Sequence, residues 1–219
     1  KQADQGAHVL DVNVGLPGID EAGMMCRVVE ELQAVTDLPL QIDSSSPEVL
    51  ERAMRRYNGK PQVNSVNGKE ESLEQVLPLV AKYGGVLIAL TLDEAGIPEE
   101  ADGRIRIAKK IIERAASYGI ARKDIVVDPL AMTISSDTTS ALTTLACIRR
   151  LTQELQVHTS LGVSNISFGL PKREMITSTF FAMALANGLS AAIMNPASAE
   201  MMKVYHCAKA LQNQDPNCQ

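Results

Sequence analysis

The 219-residue chain has no apolar stretch of about 18 residues and no secretory apolar core, so neither a spanning helix nor a targeting signal is legible in it. An excess of positive charge is also missing. Lys and Arg total 21 against 26 Asp and Glu, a formal net charge of −5, which argues against a nucleic-acid scaffold, whose affinity rests on neutralising phosphates. The nearest basic runs, Arg55-Arg56, Lys109-Lys110 and Arg149-Arg150, sit late in amphipathic patterns, where cations suit the negative end of a helix dipole. Cys26, Cys147, Cys207 and Cys218 form no Cys-x-x-Cys pair, which disfavours a disulfide scaffold or a structural zinc site and fits a reduced, cytoplasmic setting. His8, His158 and His206 fall at strand beginnings or within a helix, so none is placed as a base or a metal ligand.

What is present is a repeat. Short β-branched runs occur at 8–15, 38–44, 61–67, 86–92, 124–131, 159–165 and 191–196, and between them lie amphipathic helical patterns. EAGMMCRVVEELQAV, for example, places Met25, Val28, Val29, Leu32 and Val35 on one stripe. Strand then helix, repeated every ~25–40 residues, predicts parallel strands with crossover helices. Glycines after Tyr83, Tyr118 and Asn187 predict left-handed helix ends, and Ser46-Pro47 predicts a capped helix start.

Seven strands fall one short of a (β/α)8 barrel. KQADQGA reads as the last turns of a helix ending at Gly6. The expectation is therefore an α/β fold, a (β/α)8 TIM barrel lacking its first strand and most of its first helix, spanning 1–219 as part of a longer chain. A doubly wound open sheet is the alternative, but VNVGLPG lacks the third glycine of a dinucleotide loop.

Polar residues recur where the apolar runs give out: Asp11, Asn13, Asp43, Asn64, Asn67, Thr91, Asp93, Asp128, Asn165 and Asn195. In a barrel those strand ends share one rim, so the residues converge on one mouth. Each has a competing structural role. Asp43 can cap the next helix, Asp128 can hold a turn before Pro129, Asn165 can hold its own loop, and Asn13 and Asn195 can tie the rim together. A mouth of carboxylates and amides with few cations suits a neutral heterocycle with adjacent N–H donors, such as an aminopyrimidinone, better than a phosphosugar.

LDVNVG, IDSSSPEVLE, VNSVNGKE, DPLAM and GVSNISFGLP, in that order, resemble the pterin-binding methyltransferase family. That family comprises the methyltetrahydrofolate domain of cobalamin-dependent methionine synthase and its corrinoid-protein relatives. The resemblance runs over essentially the whole chain and implies a (β/α)8 barrel that binds 5-methyltetrahydrofolate and passes its N5 methyl to cob(I)alamin held by a separate domain or partner protein. It implies that Asp43, Asn64 and Asp128 bind the pterin ring and that Asn165 is the catalytic hydrogen-bond partner near N5. Asp11 and Asn13 would shape the mouth, and Arg173 would reach the folate or a water beside it.

Phe168 stands where many corrinoid-protein relatives carry glutamine, which tilts the resemblance toward methionine synthesis from homocysteine. The alternatives are a methyltetrahydrofolate:corrinoid protein methyltransferase and a folate-binding module inactive by itself. Dihydropteroate synthase shares the pterin barrel, but the lysine and the Ser-Arg pair expected for it are missing. Expected partners are the small-molecule folate and a corrinoid-binding domain or protein, with a homodimer as a candidate assembly and neither nucleic acid nor membrane.

Overall fold

The structure is a computed structural model and describes residues 1–215. Seven parallel strands follow one another around a single sheet: β1 (Leu10–Asn13), β2 (Leu40–Asp43), β3 (Gln62–Asn67), β4 (Val86–Leu90), β5 (Ile125–Asp128), β6 (His158–Gly162) and β7 (Ala191–Ile193). Each is followed by a helix: α1 (Glu21–Val35), α2 (Pro47–Met54), α3 (Glu70–Tyr83), α4 (Ala101–Ser117), α5 (Ser140–Gln153), α6 (Arg173–Ala186) and α7 (Ala199–Leu211). The ring is nearly closed, with a seam between β1 and β7, as the seven-strand barrel expectation requires. A short 3-10 turn, Ala3–Gln5, precedes β1 and ends at Gly6 with φ 89°.

Local chemistry sets the helix ends. Ser46 accepts from the Val49 N–H ahead of Pro47, so α2 starts as predicted. Gly84, Gly119 and Gly188 all take positive φ after their helices. The basic pairs divide. Arg55-Arg56 and Arg149-Arg150 do lie at or near helix ends, whereas Lys109-Lys110 sits in the middle of α4. Lys110 there donates to the Gly68 carbonyl at 2.6 Å and pairs with Glu70, so a tertiary contact and not the helix dipole explains it.

The strands alternate between two environments. Val12, Leu40, Ile42, Val63, Leu87, Ala89, Ile125 and Val127 are buried against α1 to α4 in one cluster. A second cluster joins Leu161, Val163 and Ile166 to Phe180, Phe181 and Met201 beneath α5, α6 and α7. Residues one position away on the same strands must then face the barrel interior, and it is these that carry the polar groups. None of the described helices is long and apolar enough to cross a membrane. Cys26, Cys147 and Cys207 are free, and Cys218 lies outside the described residues.

Candidate functional site

Strand register sorts the polar strand ends into two classes. Asn13 pairs in register with Asp43, and Asp43 with Asn64, so three polar side chains from β1, β2 and β3 form one inward row. Asn13 Nδ2 donates to Asp43 Oδ2 at 3.0 Å, while Asn13 Oδ1 accepts from the Gly15 N–H at 3.0 Å. Asn13 therefore both shapes its loop and orients the carboxylate beside it. Asp43 does not cap α2, because Ser46 does.

In β3 the register slips after Asn64: Asn64 faces Ile88, but Val66 faces Ala89 and Asn67 faces Leu90. Ser65 is the extra residue of a bulge. Strict alternation would put Asn64 and Asn67 on opposite faces; the bulge turns both inward. Asn67 is nevertheless committed to its turn, accepting from the Lys69 N–H at 3.0 Å. Asp93 and Asn195 do likewise, accepting from Ala95 N and Ala197 N at 3.0 Å each. These three strand-end residues hold loops.

Beneath the row lies a second polar layer that strand-end reasoning missed. Gln62 Nε2 donates to Gln41 Oε1 at 2.8 Å, and Gln41 Nε2 donates to Asp11 Oδ1 at 2.6 Å. Asp11 belongs to this layer, two residues below Asn13, and not to the outer rim. A cavity of about 150 Å³ beside the seam is lined by Asp11, Gln41, Gln62 and Ser160. The alternation Asp11/Asn13, Gln41/Asp43 and Gln62/Asn64 was the available sequence signal. A larger groove of about 490 Å³ runs along the seam past Val9, Phe181, Ala192, Met202 and Tyr205, and none of the proposed site residues lines it.

Asp128 is set differently. It pairs in register with Leu90, one inward step beyond the Asn64–Ile88 level, as the stagger of a barrel demands. It is 8% exposed. Its Oδ1 accepts from the Leu130 N–H at 2.7 Å, and its backbone carbonyl accepts from Thr91 N at 3.2 Å and Thr91 Oγ1 at 3.3 Å. The turn role foreseen for Asp128 is real, yet it occupies one carboxylate oxygen only. Burial pushes its carboxyl up to about 7, against the opposing pull of the Leu130 N–H and the charge of Arg104. Asp43 and Asp11 are also raised, each chiefly by burial. The Asn13 bond opposes the rise for Asp43 while Glu21 adds to it; the Gln41 bond opposes it for Asp11 while Asp43 adds to it.

Asn165 lies beyond β6, which ends at Gly162, in a 3-10 helix spanning Val163–Ser167. A Cβ built on Gly162 would sit 3.1 Å from Asn165 Nδ2. The amide thus folds back over the strand end, close to where an inward side chain at 162 would stand. Arg173, the first residue of α6, brackets the same loop: its Nε donates to Ser167 Oγ at 3.2 Å and its Nη2 to the Ser164 carbonyl at 3.0 Å. Its guanidinium lies 4.4 Å from the centre of the Phe168 ring. The β5–α5 loop is tied to this loop through Thr133 Oγ1 and Ser135 Oγ, which donate to the Phe168 carbonyl at 2.6 and 2.9 Å, and through Ile134 N, which donates to the Ile166 carbonyl at 3.0 Å.

The arrangement is an open polar mouth with one deeply set carboxylate, a partly exposed carboxylate–amide pair and a free-standing amide. Among the described residues no group of His, Cys, Asp and Glu is placed to hold a metal ion.

The fold recurs among known proteins. The pterin binding enzyme family matches residues 1–195. A methylcorrinoid:tetrahydrofolate methyltransferase of Eubacterium limosum is 31% identical over 99% of this chain and 81% of its own length. The methionine synthase of Mycobacterium tuberculosis is 32% identical over 89% of this chain, which spans only 17% of that protein. Among solved structures, Yersinia pestis DHPS with a pterine-sulfa conjugate superposes with a TM-score of 0.79 at 18% identity, over 97% of this chain and 86% of that one. Dihydropteroate synthase from Xanthomonas albilineans in complex with 7,8-dihydropteroate gives 0.76 at 23% identity, over 96% and 84%. At these identities the structural likenesses carry the fold alone.

Proposed function

Because the chain belongs to the pterin binding enzyme family, we propose that it binds 5-methyltetrahydrofolate in this mouth and passes the N5 methyl to cob(I)alamin held by a separate domain or partner protein. The observation that carries the reading is Asp128: a buried carboxylate with Oδ1 fixed by a backbone N–H, leaving Oδ2 for the paired N–H donors of an aminopyrimidinone edge. Asn64 and the Asn13–Asp43 pair meet the remaining polar edge of the ring from β1 to β3.

A tertiary amine leaves poorly, so N5 must gain a proton or a strong hydrogen bond as its methyl departs. Asn165 serves that step. Its amide accepts from a protonated N5 or donates to a neutral one, and it is pre-placed by the 3-10 turn, so little reorganisation is needed. The proton itself arrives through water, because among the described residues no general acid stands at the Asn165 end of the mouth. Arg173 acts here through the loop, with two of its nitrogens spent on Ser164 and Ser167. The corrinoid supplies the cobalt that exchanges the methyl; this chain's residues hold and orient the folate.

Phe168 favours methionine synthesis as the destination of the methyl. A second reading, exchange with a corrinoid protein of another pathway, is favoured by the 81% coverage of the Eubacterium limosum relative. Calorimetric titration of 5-methyltetrahydrofolate, followed by demethylation in the presence of reduced cobalamin, tests the common core of both. Asn165→Ala is expected to slow demethylation by about 100-fold while leaving the dissociation constant within about threefold. An unchanged chemical step would remove Asn165 from the N5 role.

A further inference from the structure

Behind the mouth lies a cation whose hydrogen bonds include no carboxylate. Arg104, in the first turn of α4, is 1% exposed. Burial disfavours its charge and lowers its pKa from the ordinary value, and the start of a helix is the unfavourable end for a cation. Such a placement needs compensation, and the compensation is specific. Nε donates to the Pro98 carbonyl at 2.8 Å, and Nη1 lies 2.8 Å from both the Pro129 and Leu130 carbonyls. Thr144 Oγ1, 3.4 Å from Nη1, also donates to the Leu130 carbonyl at 3.2 Å. Gly103 admits the Pro98 side: a Cβ there would stand 2.5 Å from Pro98 Cβ.

Pro129 and Leu130 are the two residues after Asp128. Leu130 is held at φ 64°, a conformation that side-chain-bearing residues seldom adopt. In that conformation its N–H meets Asp128 Oδ1. We propose that Arg104 is a positioning residue for ligand binding: by clamping the Pro129 and Leu130 carbonyls it keeps the Leu130 N–H on one oxygen of Asp128 and presents the other oxygen to the pterin edge. The inference rests on the pterin reading of the mouth and deepens it.

The clamp also works through charge. Arg104 is the cation that opposes the effect of burial on Asp128, while Asp128, Asp137 of the β5–α5 loop and Cys147 of α5 act in turn on Arg104. Of the other titratable groups around this part of the barrel, Asp11 and Asp43 face the same interior from β1 and β2, and His158 begins β6 at the far end of the strand pair. Loss of the guanidinium therefore disturbs both the geometry of Asp128 and the pH at which it ionises.

The test is calorimetric titration of 5-methyltetrahydrofolate from pH 6 to 8.5 into the wild type, Arg104→Gln and Arg104→Lys, with folding checked by circular dichroism. Arg104→Gln is expected to bind about 30-fold more weakly, with its pH midpoint displaced upward; Arg104→Lys, which keeps the charge and loses the fork, is expected to bind about fivefold more weakly at the wild-type midpoint. Wild-type affinity in either folded variant overturns the proposal. So does an equal loss in both with no movement of the midpoint, the mark of a merely structural role. If Arg104→Gln does not fold, Arg104→Lys decides on affinity alone, and collapse of both variants counts against a role specific to the mouth. A wild type that does not bind the folate refutes the pterin reading instead. The clamp is then judged by the 13C titration of the Asp128 carboxyl, which must move upward in Arg104→Gln.

Discussion

The β1–β3 arc and the β5–β6 arc hold their polar groups in different ways. On the first arc, side chains hold side chains: Asn13 orients Asp43, Gln62 orients Gln41, and Gln41 orients Asp11. These residues stand near the seam, where Asp11 and Asn13 remain partly open to solvent. On the second arc the backbone does the holding. Asp128 is fixed by Leu130 N, Thr91 and the Arg104 clamp behind them, and Asn165 is placed by a 3-10 turn. A side-chain network can re-pair when a ligand arrives, whereas a backbone-fixed carboxylate cannot. The first arc is thus suited to adapt to the ring, and the second to define where it sits.

The sharpest way to break this comparison is substitution of one carboxylate from each arc, Asp128 and Asp43. Asp128→Asn keeps an acceptor for Leu130 N and so preserves the turn, but it removes the charge that pairs with the ligand. Binding of 5-methyltetrahydrofolate by calorimetry is expected to weaken about 100-fold. Next comes pH. The Asp128 carboxyl is raised to about 7 by burial, and the ligand's donors select its ionised form, so binding must release a proton when it occurs below that pH. Affinity should fall by about tenfold from pH 8 to pH 6, and calorimetry in buffers of different ionisation heat should detect proton release near pH 7.

The same group acts on stability without ligand. Its folded pKa lies above its unfolded one, so it stabilises the free protein at low pH, and that stabilisation is lost as pH rises toward 7. The smallest expected effect is Asp43→Asn. Asn13 can still pair with the new amide, and the site is partly open to water, so a loss of about fivefold in affinity is expected. An Asp43 variant that binds more weakly than the Asp128 variant would reverse the assignment of the two arcs.

Much of this architecture is legible in the sequence. Helix starts and ends at Ser46, Gly84, Gly119 and Gly188 follow from backbone chemistry that is local, and the seven strands follow from a repeated apolar pattern. Convergence of Asn13, Asp43, Asn64 and Asp128 on one mouth follows from topology once parallel strands are granted. What was not legible depends on register. Asn64 and Asn67 are both expected at the mouth, but nothing in VNSVNGKE announces that Ser65 is the inserted residue that lets two positions three apart share a face. The lower layer of Asp11, Gln41 and Gln62 was encoded in strict polar–apolar alternation, but attention to strand ends alone passes over it. Asn165 was expected at a strand end and lies three residues past one, because β6 stops at Gly162. Arg104, in a helix rich in charged residues, carries no local mark of burial. Its partners lie in segments separated from it by up to 40 residues.

The bulge in β3 acts as a vernier. One extra graduation, Ser65, offsets the scale of the strand so that two marks three apart read on the same side. Flatten the bulge, so that Ser65 counts as an ordinary rung, and every residue after it reverses: Val66 would turn into the mouth and Asn67 out toward the helices. An isopropyl group would then occupy the ligand's side of the wall, with no residue there having been substituted. The polarity of this stretch of the mouth is therefore stored in the spacing of the strand as much as in its side chains.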